Sequence, residues 1–104
     1  MDLKFKTAKG LQEFKDVHLT IRNYYDLKQA GLPFENLQKI CEEENFVELA
    51  RMLEIILKKY GVEQGDIVDA PLSNMGKIVN AVVALTTEGM EDIQGTDGEV
   101  SSGE

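Results

Sequence analysis

The chain has 104 residues, a net charge of −8 and an ordinary apolar share of 42%. This length supports one domain with a modest core, and the composition is that of a globular protein. The acidic balance excludes an obvious nucleic-acid surface, because phosphate binding needs clustered Lys and Arg. Six acidic and no basic residues lie between Glu88 and Glu104, which leaves a body with 11 basic and 13 acidic residues. The negative charge is therefore concentrated at the end of the chain.

The N-terminal segment and the cysteine content predict a protein of the cytoplasm. The opening residues, MDLKFKTAKG, are charged and lack the apolar segment of a signal peptide. No stretch approaches the ~18 consecutive apolar residues that a membrane span needs. Cys41 is the only cysteine, so an intramolecular disulfide is impossible, which fits a reducing compartment. We therefore expect a cytoplasmic protein with no membrane partner.

A β-hairpin is predicted at the start of the chain. Apolar side chains alternate with lysines from Leu3 to Thr7, which is typical of a half-buried strand. Residues 8–10 form the predicted turn, and residues 14–19 are predicted to return as the second strand. Phe14 falls out of register with the other apolar residues of that segment, which leaves open a bulge or a different strand position.

Two helices are predicted next. Thr20 is a favourable N-cap for a helix through Ala30, and Gly31 is its stop signal. A second helix follows Pro33, which fits the first turn of a helix. The acidic run 42–44 is expected to connect it to the following helix, whose N-terminus these charges favour. The residues expected to form the apolar faces are Ile21, Tyr24, Tyr25 and Leu27, then Phe34, Leu37, Ile40 and Cys41.

The most apolar helix is predicted over residues 45–60. Asn45 is expected to cap its N-terminus, with Glu48 completing a capping box. Apolar residues at three- and four-residue steps cover most of its surface, so neighbours must pack on more than one side. This helix is therefore predicted to be the centre of the core, with Gly61 as its end. The ion pairs expected along its narrow polar strip are Glu48–Arg51 and Glu54–Lys58.

A last helix is predicted after a connecting loop. It begins at Pro71 or Ser73 and ends at residues 86–89. Gly76 near its start weakens it slightly or allows close approach of another backbone. The residues expected to form its buried stripe are Leu72, Met75, Ile78, Val79, Val82 and Leu85.

Residues 89–104 are predicted to be a flexible, disordered acidic tail. They are rich in Gly, Ser, Asp and Glu and have too few apolar groups to offset the entropy of ordering. The remaining residues, 1–88, are predicted to form a single globular domain, with the hairpin in residues 1–19 and the helices in residues 20–88. The fold class is therefore mainly α: about four helices with a short N-terminal β-hairpin and a disordered tail.

No residues have the spacing of a catalytic, metal or cofactor site. His18 is the only histidine and has no cysteine near it in the sequence, which argues against zinc. Cys41 lies at helical spacing with apolar residues, as a core thiol does, and not beside a base that would activate it. Gly76 and Lys77 lack the flanking residues of a phosphate-binding loop. We therefore expect no cofactor and no enzymatic activity.

Two segments share the pattern of a known protein family. The first contains Leu19-Thr20-Ile21-Arg22, Leu27 and Gly31, and the second is the apolar helix from Leu49 to Gly61. In this order, over residues 3–90, they resemble the small tail assembly chaperones of long-tailed bacteriophages and prophages. Those proteins carry an L-T-x-R/K…L…G segment followed by an LL…LL-x-x-G/Y helix.

The resemblance implies a non-enzymatic assembly factor. Such chaperones bind the tape measure protein, keep its hydrophobic helices in solution and help to recruit tail tube subunits. Asp26 only loosely matches the acidic residue that is usual in the first helix of the family. By analogy with helix-in-groove recognition, the expected partner contacts lie around the first helical hairpin: Tyr24, Tyr25, Leu32 and Phe34.

Other interpretations stay open at this point. The chain is also compatible with a small head–tail joining protein of the virion, with a generic helical protein-interaction domain, and with a homo-oligomer. A regulatory DNA-binding domain is disfavoured by the acidic charge. Tyr24 and Tyr25 have a competing structural interpretation, because aromatic residues at helical spacing usually pack into the core.

Overall fold

Two strands and four α-helices follow one another in the part of the chain that the computed structural model describes. It describes residues 1–33 and 35–88 with their side chains, and beyond residue 88 it gives only the bounds of the last helix. The elements are β1 (Leu3–Thr7), β2 (Gly10–Phe14), α1 (Ile21–Gln29), α2 (Leu37–Glu42), α3 (Phe46–Ile56) and α4 (Met75–Ser102). Short 3₁₀ turns precede α2, follow α3 and precede α4, at Phe34–Asn36, Lys58–Tyr60 and Leu72–Asn74. The predicted mainly α fold with an N-terminal hairpin is confirmed.

The predicted disordered acidic tail, residues 89–104, lies outside the residues that the structure describes with side chains, and it stays a prediction. The same holds for the domain boundary at residue 88. Thr86, Thr87 and Glu88 are still helical, so α4 does not end among them. Thr86 Oγ1 donates to the carbonyl of Val82 at 2.8 Å, and this bond satisfies its hydroxyl inside the helix.

The hairpin is antiparallel, and β1 has the predicted alternation. Leu3 lies opposite Phe14, and Thr7 lies opposite Gly10. The apolar positions of β1 are buried and its two lysines are exposed. The rings of Phe5 and Phe14 lie with their centroids 5.5 Å apart. One face of the hairpin thus joins the core.

The predicted position of the second strand, residues 14–19, is wrong. The chain reverses immediately after Thr7, so β2 begins at Gly10, whose φ of +106° lies in the region that favours glycine. Val17 is nevertheless buried, because its backbone N–H donates to the carbonyl of Met1 at 2.8 Å and holds it against the core. Val17 is therefore buried without belonging to a strand, and its apolar character led to the wrong strand position.

Helix α3 is the centre of the core, as predicted. Helices α1, α2 and α4 all contact it, and α4 also contacts β1. Most of the α3 surface is therefore covered by other elements, and the side with Val47 and Arg51 stays exposed. The large side chains of this segment that are fully buried are Leu49, Met52, Leu53, Ile56 and Leu57.

Helix α1 begins with the predicted N-cap. Thr20 Oγ1 accepts from the N–H of Asn23 at 3.1 Å, and Asn23 Oδ1 accepts from the N–H of Thr20 at 3.0 Å. This reciprocal pair satisfies two backbone donors that the first turn leaves without partners. The helix ends as predicted: Gly31 has a φ of +78°, and the N–H of Leu32 donates to the carbonyl of Leu27 at 2.8 Å.

Replacing Thr20 by Ala is expected to lower the free energy of unfolding by about 1 kcal/mol, because the N–H of Asn23 loses its acceptor. Thr20→Ser keeps a hydroxyl and is expected to retain most of the stability. Thr87→Ala, at an exposed position of α4, controls for the loss of a threonine. Urea unfolding followed by circular dichroism measures all three variants. Equal midpoints for the Ala and Ser variants would show that the cap contributes nothing.

The predicted capping box at the start of α3 is wrong. The side chain of Asn45 makes no cap hydrogen bond, and its backbone carbonyl accepts from the N–H groups of Glu48 and Leu49 instead. Glu44 has a φ of +54°, and this tight turn leaves Asn45 outside the extended conformation from which an N-cap side chain acts. Glu48 instead binds Arg51 at 2.6 Å, which confirms that predicted ion pair.

The predicted buried stripe of α4 is confirmed for its central residues, but the prediction is wrong for Leu72, its first residue. Leu72 is exposed because it lies in the 3₁₀ turn before the helix and does not share the helix face. Asn74 is buried in its place, and its Nδ2 donates to the carbonyl of Lys6 at 2.6 Å. This bond ties the start of α4 to β1. The confirmed core members of the stripe are Ile78, Val82 and Leu85.

Candidate functional site

The predicted partner contacts do not share one environment. Tyr24 and Tyr25 lie on α1 with 38% and 55% of their surface exposed, so the competing interpretation of core packing is wrong. Leu32, predicted as a partner contact, is instead a core residue, because the turn that closes α1 bonds its N–H to Leu27 and brings it into the apolar cluster. Phe34 lies outside the described side chains and stays a prediction.

Ile21 joins the two tyrosines in an exposed apolar surface. It is 89% exposed, and residues at steps of three and four are neighbours on a helix. Ile21, Tyr24 and Tyr25 are therefore called the α1 face. The predicted inward direction of these three residues is wrong, because the buried side of this helix is formed by Asn23 and Leu27 alone. A nine-residue helix thus exposes three large side chains that could contact a partner.

Lys28 borders the α1 face. Its Nζ donates to the Tyr24 hydroxyl at 3.3 Å and lies 5.2 Å from the centroid of that ring. The hydrogen bond to Tyr24, together with the charge of Glu35, raises the pKa of the Lys28 ammonium.

A groove of about 860 Å³ lies between α3 and the loop that follows it. One side is lined by Val47, Arg51 and Ile55 of α3 and by Lys58 of the 3₁₀ turn that follows, at three- and four-residue steps. The loop side is formed within residues 61–68. We call this concavity the α3 groove, and the loop its wall.

One buried carboxylate holds the wall. Glu54 is only 7% exposed, and its Oε2 accepts from the N–H groups of Ile67 at 3.0 Å and Val68 at 2.8 Å. The predicted ion pair between Glu54 and Lys58 is wrong, because these two backbone donors bind the carboxylate instead. Charge-assisted bonds of this kind are the stronger class of hydrogen bond. Sequence reasoning missed this role; the available signal was an acidic residue between Leu53 and two isoleucines.

A second set of bonds ties the wall to the hairpin. Asp66 Oδ2 accepts from the N–H of Glu63 at 2.9 Å, and the carbonyl of Asp66 accepts from the N–H of Ala8 at 2.7 Å. Lys9 Nζ lies 2.8 Å from Glu63 Oε1 and 3.4 Å from Asp66 Oδ2. Its hydrogen bonds to Glu63 and then Asp66 raise the pKa of Lys9 above its ordinary value. The wall is thus fixed from both sides.

The described residues contain no cluster of three or more His, Cys, Asp or Glu side chains that fits a metal ion. His18 is exposed, and Cys41 is half-buried against the core. Within the same residues, no helix combines the length and the apolar character that crossing a bilayer requires. The α1 face and the α3 groove are the candidate functional surfaces of the described residues.

Comparison with known proteins gives no significant match, whether to a family model, a curated protein or a solved structure.

Proposed function

We propose that the protein is a non-enzymatic tail assembly chaperone of a long-tailed bacteriophage or prophage. It acts in the cytoplasm of the bacterial host, where it binds the tape measure protein and assists the tail tube protein. The α1 face carries this proposal. It lies in the segment with the L-T-x-R pattern, and it exposes an isoleucine and two tyrosines on one short helix.

The chemistry of the α1 face suits a reversible contact with an apolar helix. Aromatic residues are enriched at protein interfaces, where the ring is covered while the hydroxyl still reaches water. Burying Ile21 and the ring of Tyr25 contributes roughly 1.5–3 kcal/mol each before ordering costs. Three side chains form a small surface, and small surfaces give transient complexes. A chaperone needs both properties, since it must shield the apolar helices of its client and then release them.

Co-expression with a helical fragment of the tape measure protein from the same genome tests the proposal. The wild-type chain is expected to keep the fragment in solution and to elute with it in size-exclusion chromatography. Elution of a folded chain apart from the fragment would overturn the proposal. So would its presence in purified virions by mass spectrometry, which would indicate a structural head–tail joining protein.

The double variant Ile21→Ala, Tyr25→Ala is expected to weaken this complex at least about ten-fold, because truncating central apolar anchors costs more than 1 kcal/mol. Leu72→Ala is the matched control, since Leu72 is 78% exposed but lies outside the α1 face. Titration by isothermal calorimetry gives both affinities. Equal losses in the two variants would place the contact elsewhere on the protein.

A further inference from the structure

We infer that the α3 groove is a second docking surface, which takes an amphipathic helix of a partner protein with a carboxylate between its apolar side chains. This inference does not depend on the chaperone proposal, which uses the α1 face. It rests on four properties of the groove: its length, its apolar floor, the state of its charges and the rigidity of its wall.

The dimensions of the groove match a short helix. The side formed by α3 and the 3₁₀ turn extends from Val47 to Lys58, which at roughly 1.5–2 Å per residue is about 17 Å, or three helical turns. Its volume of about 860 Å³ lies within the range of clefts that bind ligands in proteins. An extended, open concavity of this shape favours a rod-like occupant over a compact small molecule.

The floor of the groove is apolar and accessible. Val47 is 56% exposed and Val68 is 38% exposed, while Ile55 is half-buried between them and the core. Single exposed apolar residues are normal on any protein surface, but these three line one concavity. These three side chains supply the contact for the apolar face of a partner helix, as in helix-in-groove recognition.

The acidic groups of the groove are already satisfied within the chain. The Glu54 carboxylate accepts the two N–H groups of the wall, and the Glu63 carboxylate binds Lys9. Glu54 is therefore not available to attract an incoming cation, and Lys9 offsets the charge of Glu63.

The basic groups of the groove are only partly satisfied. Arg51 binds Glu48 at 2.6 Å, whereas Lys58 has no ion pair with any residue that the structure describes. Lys58 and Arg51 lie on either side of Ile55 along the stripe. The complementary partner therefore carries a carboxylate within reach of Lys58 and apolar side chains within reach of the floor. One unpaired cation is too few for a nucleic-acid backbone, which needs several phosphate contacts.

The wall of the groove is formed before any partner arrives. The bonds from Glu54 to Ile67 and Val68, and from Lys9 to Glu63, hold it in place in the free protein. A preformed surface loses less conformational entropy on binding, so a short helix gains useful affinity there.

Three peptides of about 15 residues, long enough for the three turns of the groove, test the inference. They share one helical sequence with leucines at helical spacing and differ at a central residue, which is Glu, Gln or Lys. Each is titrated into the full-length, ¹⁵N-labelled chain. The Glu peptide is expected to shift the amide signals of Val47, Ile55 and Val68 and to bind about fivefold tighter than the Gln peptide, the scale of one exposed ion pair.

A charge reversal provides the decisive comparison. Lys58→Glu is expected to reverse the order of affinities, so that the Lys peptide binds tighter than the Glu peptide. Lys59→Glu is the matched control, because it makes the same change one residue along, at a side chain that lies against Tyr60 and not in the groove. It is expected to keep the preference for the Glu peptide.

Several results would overturn the inference. The first is the absence of shifts in the groove with any peptide at millimolar concentration. The second is equal affinity for all three peptides, and the third is an equal effect of the two lysine variants. Shifts at Val47 and Val68 with a single-stranded oligonucleotide in place of the peptides would also overturn it, in favour of a nucleic-acid surface.

Discussion

Replacing Leu53 by Ala is expected to lower the free energy of unfolding by about 3–4 kcal/mol. Leu53 is fully buried in α3, and this helix contacts α1, α2 and α4. The cavity left by the missing side chain cannot close by moving one neighbour, because three separate elements pack against α3. A domain of this size has a total stability of about 5–15 kcal/mol, so a large part of it would be lost. Urea unfolding followed by circular dichroism measures the change.

Val47→Ala is the matched control for this substitution. Val47 lies on the same helix but is exposed to solvent, so its truncation is expected to change stability by no more than about 0.5 kcal/mol. The contrast between the two variants reports how completely α3 is covered. Similar unfolding midpoints for both would mean that α3 is not enclosed by the other helices.

The features of the fold that depend on neighbouring residues were predictable from the sequence. The apolar steps of α3, the cap at Thr20 and the stop at Gly31 are each set within one or two turns of helix. The alternation of β1 is local in the same sense. Such patterns indicate which side chains share a face of a helix or strand. In α3 the apolar face is so wide that several neighbours must cover it, and the burial of the helix could be predicted.

The features that depend on distant contacts were not predictable. The pattern of α1 indicates an apolar face containing Ile21 and Leu27, but only a packed neighbour decides which part of it is buried, and in the structure that part is Leu27 with Asn23. Leu72 fits the stripe of α4 in the sequence, yet the helix begins three residues later. Val17 is buried through a backbone bond to Met1, which no side-chain pattern reports.

The two candidate surfaces also differ in how far the sequence predicted them. Tyr24 and Tyr25 were identified from the family resemblance, and the structure adds Ile21 to them because all three are exposed. The α3 groove was not anticipated, because its wall is held by backbone N–H groups. Spacing alone pairs Glu54 with Lys58, since a sequence shows the side chains of a helix and not the loop donors that compete for them.

Replacing Glu54 by Leu is expected to lower the free energy of unfolding by about 2–4 kcal/mol. Leucine fills a similar volume, but it leaves the N–H groups of Ile67 and Val68 without the acceptor they have in the native chain, and an unpaired buried donor costs about 1–3 kcal/mol. Relief from burying a charge offsets part of this loss. Glu54→Gln keeps an acceptor of the same length and is expected to lose about 1 kcal/mol. Urea unfolding measures the free energies, and hydrogen exchange measures the protection of the two amides.

Lys58→Ala separates the observed role of Glu54 from the ion pair that the sequence suggests. If Glu54 stabilises the protein by binding the N–H groups of the wall, removing the Lys58 side chain is expected to change the free energy of unfolding by no more than about 0.5 kcal/mol, as for other exposed charges. A loss as large as that of Glu54→Leu would mean that the pair between the two side chains forms in solution and that the wall is held by something else.

Hydrogen exchange also shows whether the wall opens by itself or only when the whole domain unfolds. In Glu54→Leu we expect faster exchange at Ile67 and Val68 than at the core amides of α3, because the lost bonds are local to the loop. The Glu peptide would then bind this variant more weakly than the wild type, although Lys58 and the apolar floor are unchanged. Unchanged peptide affinity in a chain whose wall exchanges freely would mean that the floor and Lys58 alone account for binding, and that the wall does not preorganise the groove.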